Sequence, residues 1–203
     1  MLEIEVKIRI KDKTLILTKI SEMTGAAGIQ GRFEDDTLYD FQDLRLFDSG
    51  AMFRLRISSK AIVDDAEQFL IKDKNPRYTL TWKGILNIDS SFKEREELEF
   101  DVEDRSALFS MLKTFGLEPV FRYQKFRISA NLADGKIFLD ETPMGYFLEI
   151  EGKPAWIDKA AALLGFKSSD YINLDYYMLW RQYCTENRLP HGDMLFKIKR
   201  EMK

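Results

Sequence analysis

The sequence predicts an α+β fold in which antiparallel strands close into an eight-stranded barrel with helices packed outside, and three features predict it. The segment Leu2–Ile10 alternates without a fault, with Leu2, Ile4, Val6, Ile8 and Ile10 apolar and Glu3, Glu5, Lys7 and Arg9 charged. Successive strand side chains point to opposite faces, so this strand has one apolar and one ionic face. The same division, with both signs of charge on one face, recurs on most later strands. Turn signals such as Ala133-Asp134-Gly135 and Thr142-Pro143-Met144-Gly145 join neighbouring strands as hairpins, and helical periods fall between the others. About eight strands result, enough to close a sheet on itself.

In chain order, Lys13–Met23 carries Leu15, Ile16, Ile20 and Met23 at a helical period and stops before Gly25. Ala27–Asp40 reads as extended, with Gly28 and Gly31 as bulges and alternation resuming over Asp36–Asp40. After a turn at Asp48-Ser49-Gly50, Ala51–Ser58 is a strand with Phe53, Leu55 and Ile57 opposite Arg54, Arg56 and Ser58. Ile62–Arg77 has charge clusters and no clear period. Tyr78–Gly84 sets Thr79, Thr81 and Lys83 against Leu80 and Trp82, and Phe92–Val102 gathers Lys93, Arg95, Glu97 and Glu99 on one face. Asp104–Phe115 is a helix with Asp104 as N-cap and Gly116 as its stop.

Glu118–Asn131 and Lys136–Asp140 flank the Asp134-Gly135 hairpin, and Tyr146–Gly152 sets Glu149 and Glu151 opposite Leu148 and Ile150. Pro154 opens and Gly165 closes a helix over Lys153–Leu164. Asn173–Asn187 carries Tyr176, Leu179, Trp180 and Tyr183 at helical spacing. That stripe reads as core packed against the barrel, with a helix plugging one end as the sharper alternative.

A single domain accommodates the 203 residues. Hydrophobic content of 45% with 32% charged residues is ordinary for a globular chain. A net charge of −3 and a pI near 5.4 argue against a general nucleic-acid or anionic-membrane binder. Cys184 is the one cysteine, so neither an intrachain disulfide nor a cysteine zinc cluster is expected. No apolar run approaches the roughly 20 residues a membrane helix needs, and Met1 leads directly into a strand rather than a signal peptide. The expectation is a cytoplasmic protein, monomeric or homodimeric.

The charged phases decide the functional reading. Their acids are Glu3, Glu5, Glu97, Glu99, Asp140, Glu149 and Glu151; their bases are Lys7, Arg9, Arg54, Arg56, Lys83, Lys93, Arg95, Lys125 and Arg127. The opposite faces are Leu, Ile, Val, Phe and Trp, which amphipathic helices can cover. If helices coat a closed sheet, the ions line its interior. Burying them dry costs several kcal/mol each, so the interior must be wet and must hold something charged. Carboxylates suit hard cations such as Mg²⁺ or Mn²⁺, and Arg and Lys suit phosphate oxygens. An open sheet with a solvated ionic face remains the bland alternative.

Several of these segments resemble, in order, the CYTH superfamily of triphosphate tunnel metalloenzymes. They are Glu3-x-Glu5-x-Lys7, Arg54-Leu55-Arg56, Thr81-Trp82-Lys83-Gly84, Arg95-Glu96-Glu97-Leu98-Glu99, Lys125-Phe126-Arg127, Leu139-Asp140-Glu141 and Gly145–Glu151. The resemblance spans roughly residues 2 to 175. It implies a tunnel that binds a small-molecule triphosphate with Mg²⁺ or Mn²⁺. By position, Lys7, Arg54, Arg56, Lys83, Lys125 and Arg127 would hold phosphate, with Arg95 either joining them or pairing with neighbouring acids. Glu3, Glu5, Glu97, Glu99, Glu149 and Glu151 would hold metal; Asp140 would orient the bases or join the metal shell. The long interval between Arg56 and Lys83 implies an insertion near 58–77, and a C-terminal helical extension starts at about 173.

No Gly-x-x-x-x-Gly-Lys-[Ser/Thr] loop is present, His191 lies in a surface turn, and Cys184 reads as packing. Catalysis is therefore expected from positioning, charge neutralisation by groups such as Lys83, and a metal-activated oxygen nucleophile assisted by Glu5 or Glu149. The expected activity is hydrolysis of a phosphoanhydride in tripolyphosphate, a nucleoside triphosphate or thiamine triphosphate. Two rivals share the motifs: a class IV adenylate cyclase, and a non-catalytic polyphosphate-binding module. A lipid-carrying barrel would need an apolar lumen.

Overall fold

In the computed structural model, the described residues are 2–24, 29–63, 69–71, 75–85, 87 and 92–197. Strand β1 (Leu2–Ile10) is followed by α1 (Lys13–Thr24), β2 (Ile29–Asp40), the short α2 (Arg45–Ser49), β3 (Met52–Val63) and β4 (Phe69–Ile71). Then come β5 (Arg77–Lys83), β6 (Lys93–Asp101), α3 (Arg105–Thr114), β7 (Glu118–Leu132), β8 (Gly135–Thr142) and β9 (Gly145–Gly152). Helix α4 (Pro154–Leu164), β10 (Tyr171–Ile172) and α5 (Tyr176–Asn187) complete the order.

Eight strands form an antiparallel ring in the order β1-β6-β5-β3-β2-β7-β8-β9, and β9 pairs back onto β1. The first strand closes the ring because its two ends have different partners: Leu2–Glu5 pair with β6 and Glu5–Ile10 with β9. Closure leaves no free edge along the ring. The short β10 and β4 add to β1 and β3 respectively.

Register carries the ionic phases to a common side. Lys7 stands opposite Glu149, Glu5 opposite both Glu151 and Lys93, and Lys83 opposite Glu97. Arg56 faces Asp36, Lys125 faces Glu34, and Arg127 faces Asp140. The apolar phase of β1 points the other way, where Val6, Ile8 and Ile10 pack with Ile16 and Ile20 of α1 and Ile157, Ala161 and Leu164 of α4. Burying each such side chain stabilises the fold by roughly 1.5–3 kcal/mol, which pins the opposite phase inward. Helix α3 covers a second patch through Leu108 and Leu112 against Leu55 and Leu80.

Local signals operate as anticipated at the caps. Asp104 accepts the Ala107 N–H at 2.9 Å, Pro154 stands at the start of α4, and Gly165 ends that helix at φ 96°. Gly31 differs from expectation. It lies in unbroken register with β7, and a Cβ there would come 2.8 Å from the Ala61 carbonyl oxygen, so the glycine answers close backbone approach. The register shift in β2 falls instead between Leu38 and Tyr39, while Gly28 lies outside the described residues. Beyond Ser58, β3 runs on to Val63 and β4 folds back along it (Ala61↔Ile71); 64–68 and 72–74 are outside the described residues.

Candidate active site

The inward phases line a cavity of about 600 Å³. At its basic end Lys7, Arg56, Lys125 and Arg127 are each tied to a buried acid. Asp140, fully buried, accepts from Arg127 Nε at 2.7 Å, Lys125 Nζ at 3.1 Å and the Tyr176 hydroxyl at 2.7 Å. Arg56 forks onto Asp36 at 2.7 and 2.9 Å and reaches Glu34 at 3.1 Å, and Glu34 lies 3.4 Å from Lys125. Lys7 is 2.5 Å from Glu149, which also receives Arg127. Arg54 donates to Thr81 at 3.0 Å.

The acidic end is looser. Lys83 Nζ bridges Glu3 at 2.6 Å and Glu97 at 2.7 Å, and Lys93 meets Glu5 at 2.9 Å. Glu99 is 3.6 Å from Arg54, Glu151 is 3.4 Å from Lys136, and Arg95 is 3.9 Å from Glu3. The predicted phosphate and metal residues thus share one lumen, apart from Asp140, which lies beneath Arg127. Arg9, read with the inward ionic phase, is exposed; it packs over the Phe147 ring and donates to the Met144 carbonyl.

Acids are depressed along most of the lumen, including Glu5 and Glu97 at the acidic end, and two are raised there. Burial works against ionisation of Glu149, yet Arg127, Lys7 and Lys125 together hold its carboxyl well below the usual range. Asp36 is likewise depressed, because Arg56 and Arg54 overcome its burial. Burial and the neighbouring Arg127 pull Lys125 down despite Asp140. At the acidic end burial, reinforced by Glu5, pushes Glu3 up, and burial pushes Glu151 up with Glu3 and Glu5 adding to it.

These contacts change three expectations. Glu149 and Glu5 are poor proton acceptors as they stand, because Lys7 and Arg127 hold the first and Lys93 the second in the ionised form. Asp140 spends both oxygens on Arg127, Lys125 and Tyr176, so it orients bases rather than joining a metal shell. Helix α5 packs across one end of the lumen: Tyr176 and Leu179 cluster with Leu38, Tyr123 and Phe147, all in the inward phase. The Lys7 and Lys125 ammonium groups stand 4.5 and 5.0 Å from the Tyr176 ring centroid. Of that stripe, Tyr176 and Leu179 are buried, while Trp180 and Tyr183 pack at the margin.

Sequence reasoning did not place Arg32, Glu34 and Asp36 in the lumen, and it named Tyr176 only within the α5 stripe. A signal existed for the first three, since 32, 34, 36 and 38 share one strand phase. The opposite phase hid it: Asp35 pairs with Arg122 at 2.5 Å and makes that face ionic too.

Among the described residues no group of three or more His, Cys, Asp or Glu side chains is arranged to hold a metal ion. The donor chemistry at the acidic end nevertheless fits a hard divalent cation. It consists of carboxylate oxygens close enough that Glu5 adds to the burial that raises Glu3, and Glu3 and Glu5 add to the burial that raises Glu151; a bound cation would offset both.

A closed antiparallel barrel with a lumen lined by both acids and bases defines the class of a charged tunnel protein. The chain belongs to the CYTH family, whose CYTH domain matches residues 1–164. A Methanocaldococcus jannaschii protein named "Putative adenylate cyclase" is 26% identical over 152 residues, 74% of this chain and 77% of its own length. The solved PH1819 protein of Pyrococcus horikoshii superposes with a TM-score of 0.68 at 24% identity, covering 89% of this chain and 99% of that one. A Hippeastrum structure, described as a "Putative adenylyl cyclase" with a dominant triphosphatase activity, gives 0.65 at 15% identity, covering 89% and 96%. Both structural likenesses show the fold alone. Helix α5 lies beyond the segment that matches the family.

Proposed function

We propose that this chain is a divalent-metal-dependent triphosphatase that hydrolyses a phosphoanhydride of tripolyphosphate or of an organic triphosphate in the cytoplasm. The observation that carries this reading is the gathering of Lys7, Arg54, Arg56, Lys125 and Arg127 around one cavity with Glu3, Glu5, Glu97, Glu99 and Glu151 beside them. Unpaired cations would suffice for binding alone; the adjoining acids supply donors for a cation as well.

In this reading Arg56 and Arg127, each fixed by a fork onto a carboxylate, present rigid guanidinium edges to the phosphates, and Lys7, Lys83 and Lys125 add point charges. Glu3, Glu5, Glu97 and Glu99 would hold Mg²⁺ or Mn²⁺, with Glu151 alongside. The ion would neutralise charge on phosphate oxygens and favour attack at phosphorus. Phosphoryl transfer passes through a loose transition state with little covalent work for the protein, so positioning and charge carry the reaction. Glu149 and Glu5, held ionised by their lysines, then serve to set those lysines in place. Water attacks the terminal phosphorus, the anhydride P–O bond breaks with its electron pair passing to the bridging oxygen of the departing diphosphate, and the water's proton passes to solvent or to that oxygen, leaving orthophosphate.

The name of the Methanocaldococcus jannaschii relative favours a second reading, an adenylate cyclase in which the 3′-hydroxyl of ATP attacks the α-phosphorus and releases pyrophosphate. Incubation with Mg²⁺ or Mn²⁺ and either ATP or tripolyphosphate separates the two. Orthophosphate from both substrates is the expected result; cyclic AMP with pyrophosphate would replace the hydrolase by the cyclase.

A further inference from the structure

Helix α5 lies outside the segment that matches the family, yet its first residue, the buried Tyr176, lines the lumen beside Lys7, Lys125 and Arg127. Three contacts fix the ring. Its hydroxyl donates to Asp140 at 2.7 Å, Phe147 stands edge-on at 5.5 Å between centroids, and Tyr123 lies at 5.9 Å. The helix that carries it is tied down in turn. Asp175 caps it by accepting the Met178 N–H at 2.9 Å, and the Trp180 indole donates to the Gly192 carbonyl at 2.6 Å. The ladder between β7 and β8 starts at Phe126, and before it β7 turns that edge to the C-terminal segment. Met194, fully buried, donates to the Arg122 carbonyl and accepts the Gln124 N–H, both at 2.9 Å.

The ring's neighbours indicate its use. The Lys7 and Lys125 ammonium groups, 4.5 and 5.0 Å from its centroid, fall within the roughly 6 Å reach of cation–π attraction. Each ammonium also meets carboxylates, Lys7 at Glu149 and Lys125 at Asp140 and Glu34. A carboxylate fixes a lysine but also cancels charge that a phosphate would use. An aromatic face attracts the ammonium through its quadrupole and carries no net charge, so it fixes the lysine without neutralising it. Lysine is otherwise a point charge on a flexible four-carbon stem, and ordering that stem on binding costs affinity. One neutral ring facing two lysines removes part of this cost in advance.

We propose that Tyr176 is a positioning residue for anion binding: its ring holds the Lys7 and Lys125 ammonium groups in place for the incoming phosphates, and its hydroxyl anchors the ring on Asp140. The C-terminal segment thereby contributes to the affinity of a tunnel whose eight ring strands end at Gly152. This rests on the triphosphate reading of the tunnel and adds to it a side chain that bears no charge.

Calorimetric titration of the full chain with Mg²⁺ and the non-hydrolysable probe imidotripolyphosphate tests it. Tyr176→Leu and Tyr176→Met each remove the ring but keep an apolar side chain, and each should weaken binding about tenfold or more. Tyr176→Phe keeps the ring and should stay within about threefold of wild type. A packing role alone would not make the loss depend on the lysines. In the Lys7→Met and Lys125→Met backgrounds, the cost of Tyr176→Leu should therefore shrink to about threefold or less. A second readout leaves position 176 unchanged. In the chain carrying isotope-labelled lysine, the ring should shift the ε-methylene proton signals of two lysines upfield, and Lys7→Met and Lys125→Met should each delete one of them. Undiminished binding without the ring, a loss in Tyr176→Phe as large as in Tyr176→Leu, full additivity with both lysine variants, or unshifted lysine signals would overturn the assignment while the triphosphate reading stands. If the wild-type chain does not bind the probe, the triphosphate reading itself falls, and the role of Tyr176 with it.

Discussion

At the basic end of the tunnel, Arg56, Lys125 and Arg127 are locked by Glu34, Asp36 and Asp140, all essentially out of solvent. At the acidic end, Glu3, Glu97 and Glu99 reach lysine and arginine through side chains that stay 15%, 17% and 45% exposed. The same residue types are thus used in opposite ways. Glu34 and Asp36, paired with buried cations, are held ionised, whereas at the outer end burial, with neighbouring glutamates adding to it, makes Glu3 and Glu151 hold protons more readily than ordinary glutamates. A preorganised cationic wall lowers the cost of placing phosphate, and a crowded anionic wall favours a second cation.

The largest expected effect comes from breaking the locked end. Asp140→Ala strips a carboxylate from Arg127, Lys125 and Tyr176 and leaves buried cations without it. Unfolding by denaturant should show a loss of about 3–5 kcal/mol. A loss below about 1 kcal/mol would show that the basic end is not held as the contacts indicate. Lys83→Ala at the acidic end should cost about 10²–10³ in turnover with folding nearly intact, in line with removal of one charge-stabilising donor. Wild-type rates in that variant would remove Lys83 from the reaction.

Glu3→Gln with Glu5→Gln sharpens the contrast from the other side. Metal-dependent turnover should vanish, and so should any rise in melting temperature on adding Mg²⁺ or Mn²⁺. A preserved metal-induced rise would move the cation elsewhere. Tyr176→Phe removes only the hydroxyl that Asp140 accepts, and about 1 kcal/mol of stability should go with it.

Acid titration of stability gives the mildest signature, with opposite signs for the raised and the depressed acids. Glu3 and Glu151 have raised pKa values in the fold, so above the ordinary glutamate value of 4.5 the native state binds more protons than the unfolded one. Stability from that source rises as pH falls toward 4.5. Glu34, Asp36 and Glu149 are depressed from 4.5, 3.8 and 4.5, so their contribution is complete above those values and is lost as pH falls further. Denaturation curves across this range should show a shallow maximum, and a monotonic fall from neutrality would contradict the raised acids.

Much of the barrel was legible because alternation is a local property. In β1, Val6 and Ile8 against Glu5 and Lys7 already state which phase a helix must cover. The inward set from β1, β3, β5, β6, β7 and β9 followed from the same rule. On β2 the rule failed, because Asp35 is matched by Arg122 outside while Glu34 and Asp36 are matched by bases inside, and both phases look ionic. The α5 stripe showed the same weakness: helical spacing marks a buried face without saying what it is buried against. The short α2 was read as a turn, since five residues anchored by Asp40 leave no period to detect.

By itself, then, the order of residues determined the strand phases, the helix caps and the sorting of ionic from apolar faces, because each depends on neighbours a few positions away. Ring closure through β9 and β1, the choice of which acid holds which base, and the seating of Tyr176 on Lys7 and Lys125 were decided only in three dimensions. Those outcomes depend on pairings between different strands, as distant in sequence as Lys7 with Glu149, and on the register that burial of the outer apolar faces imposes.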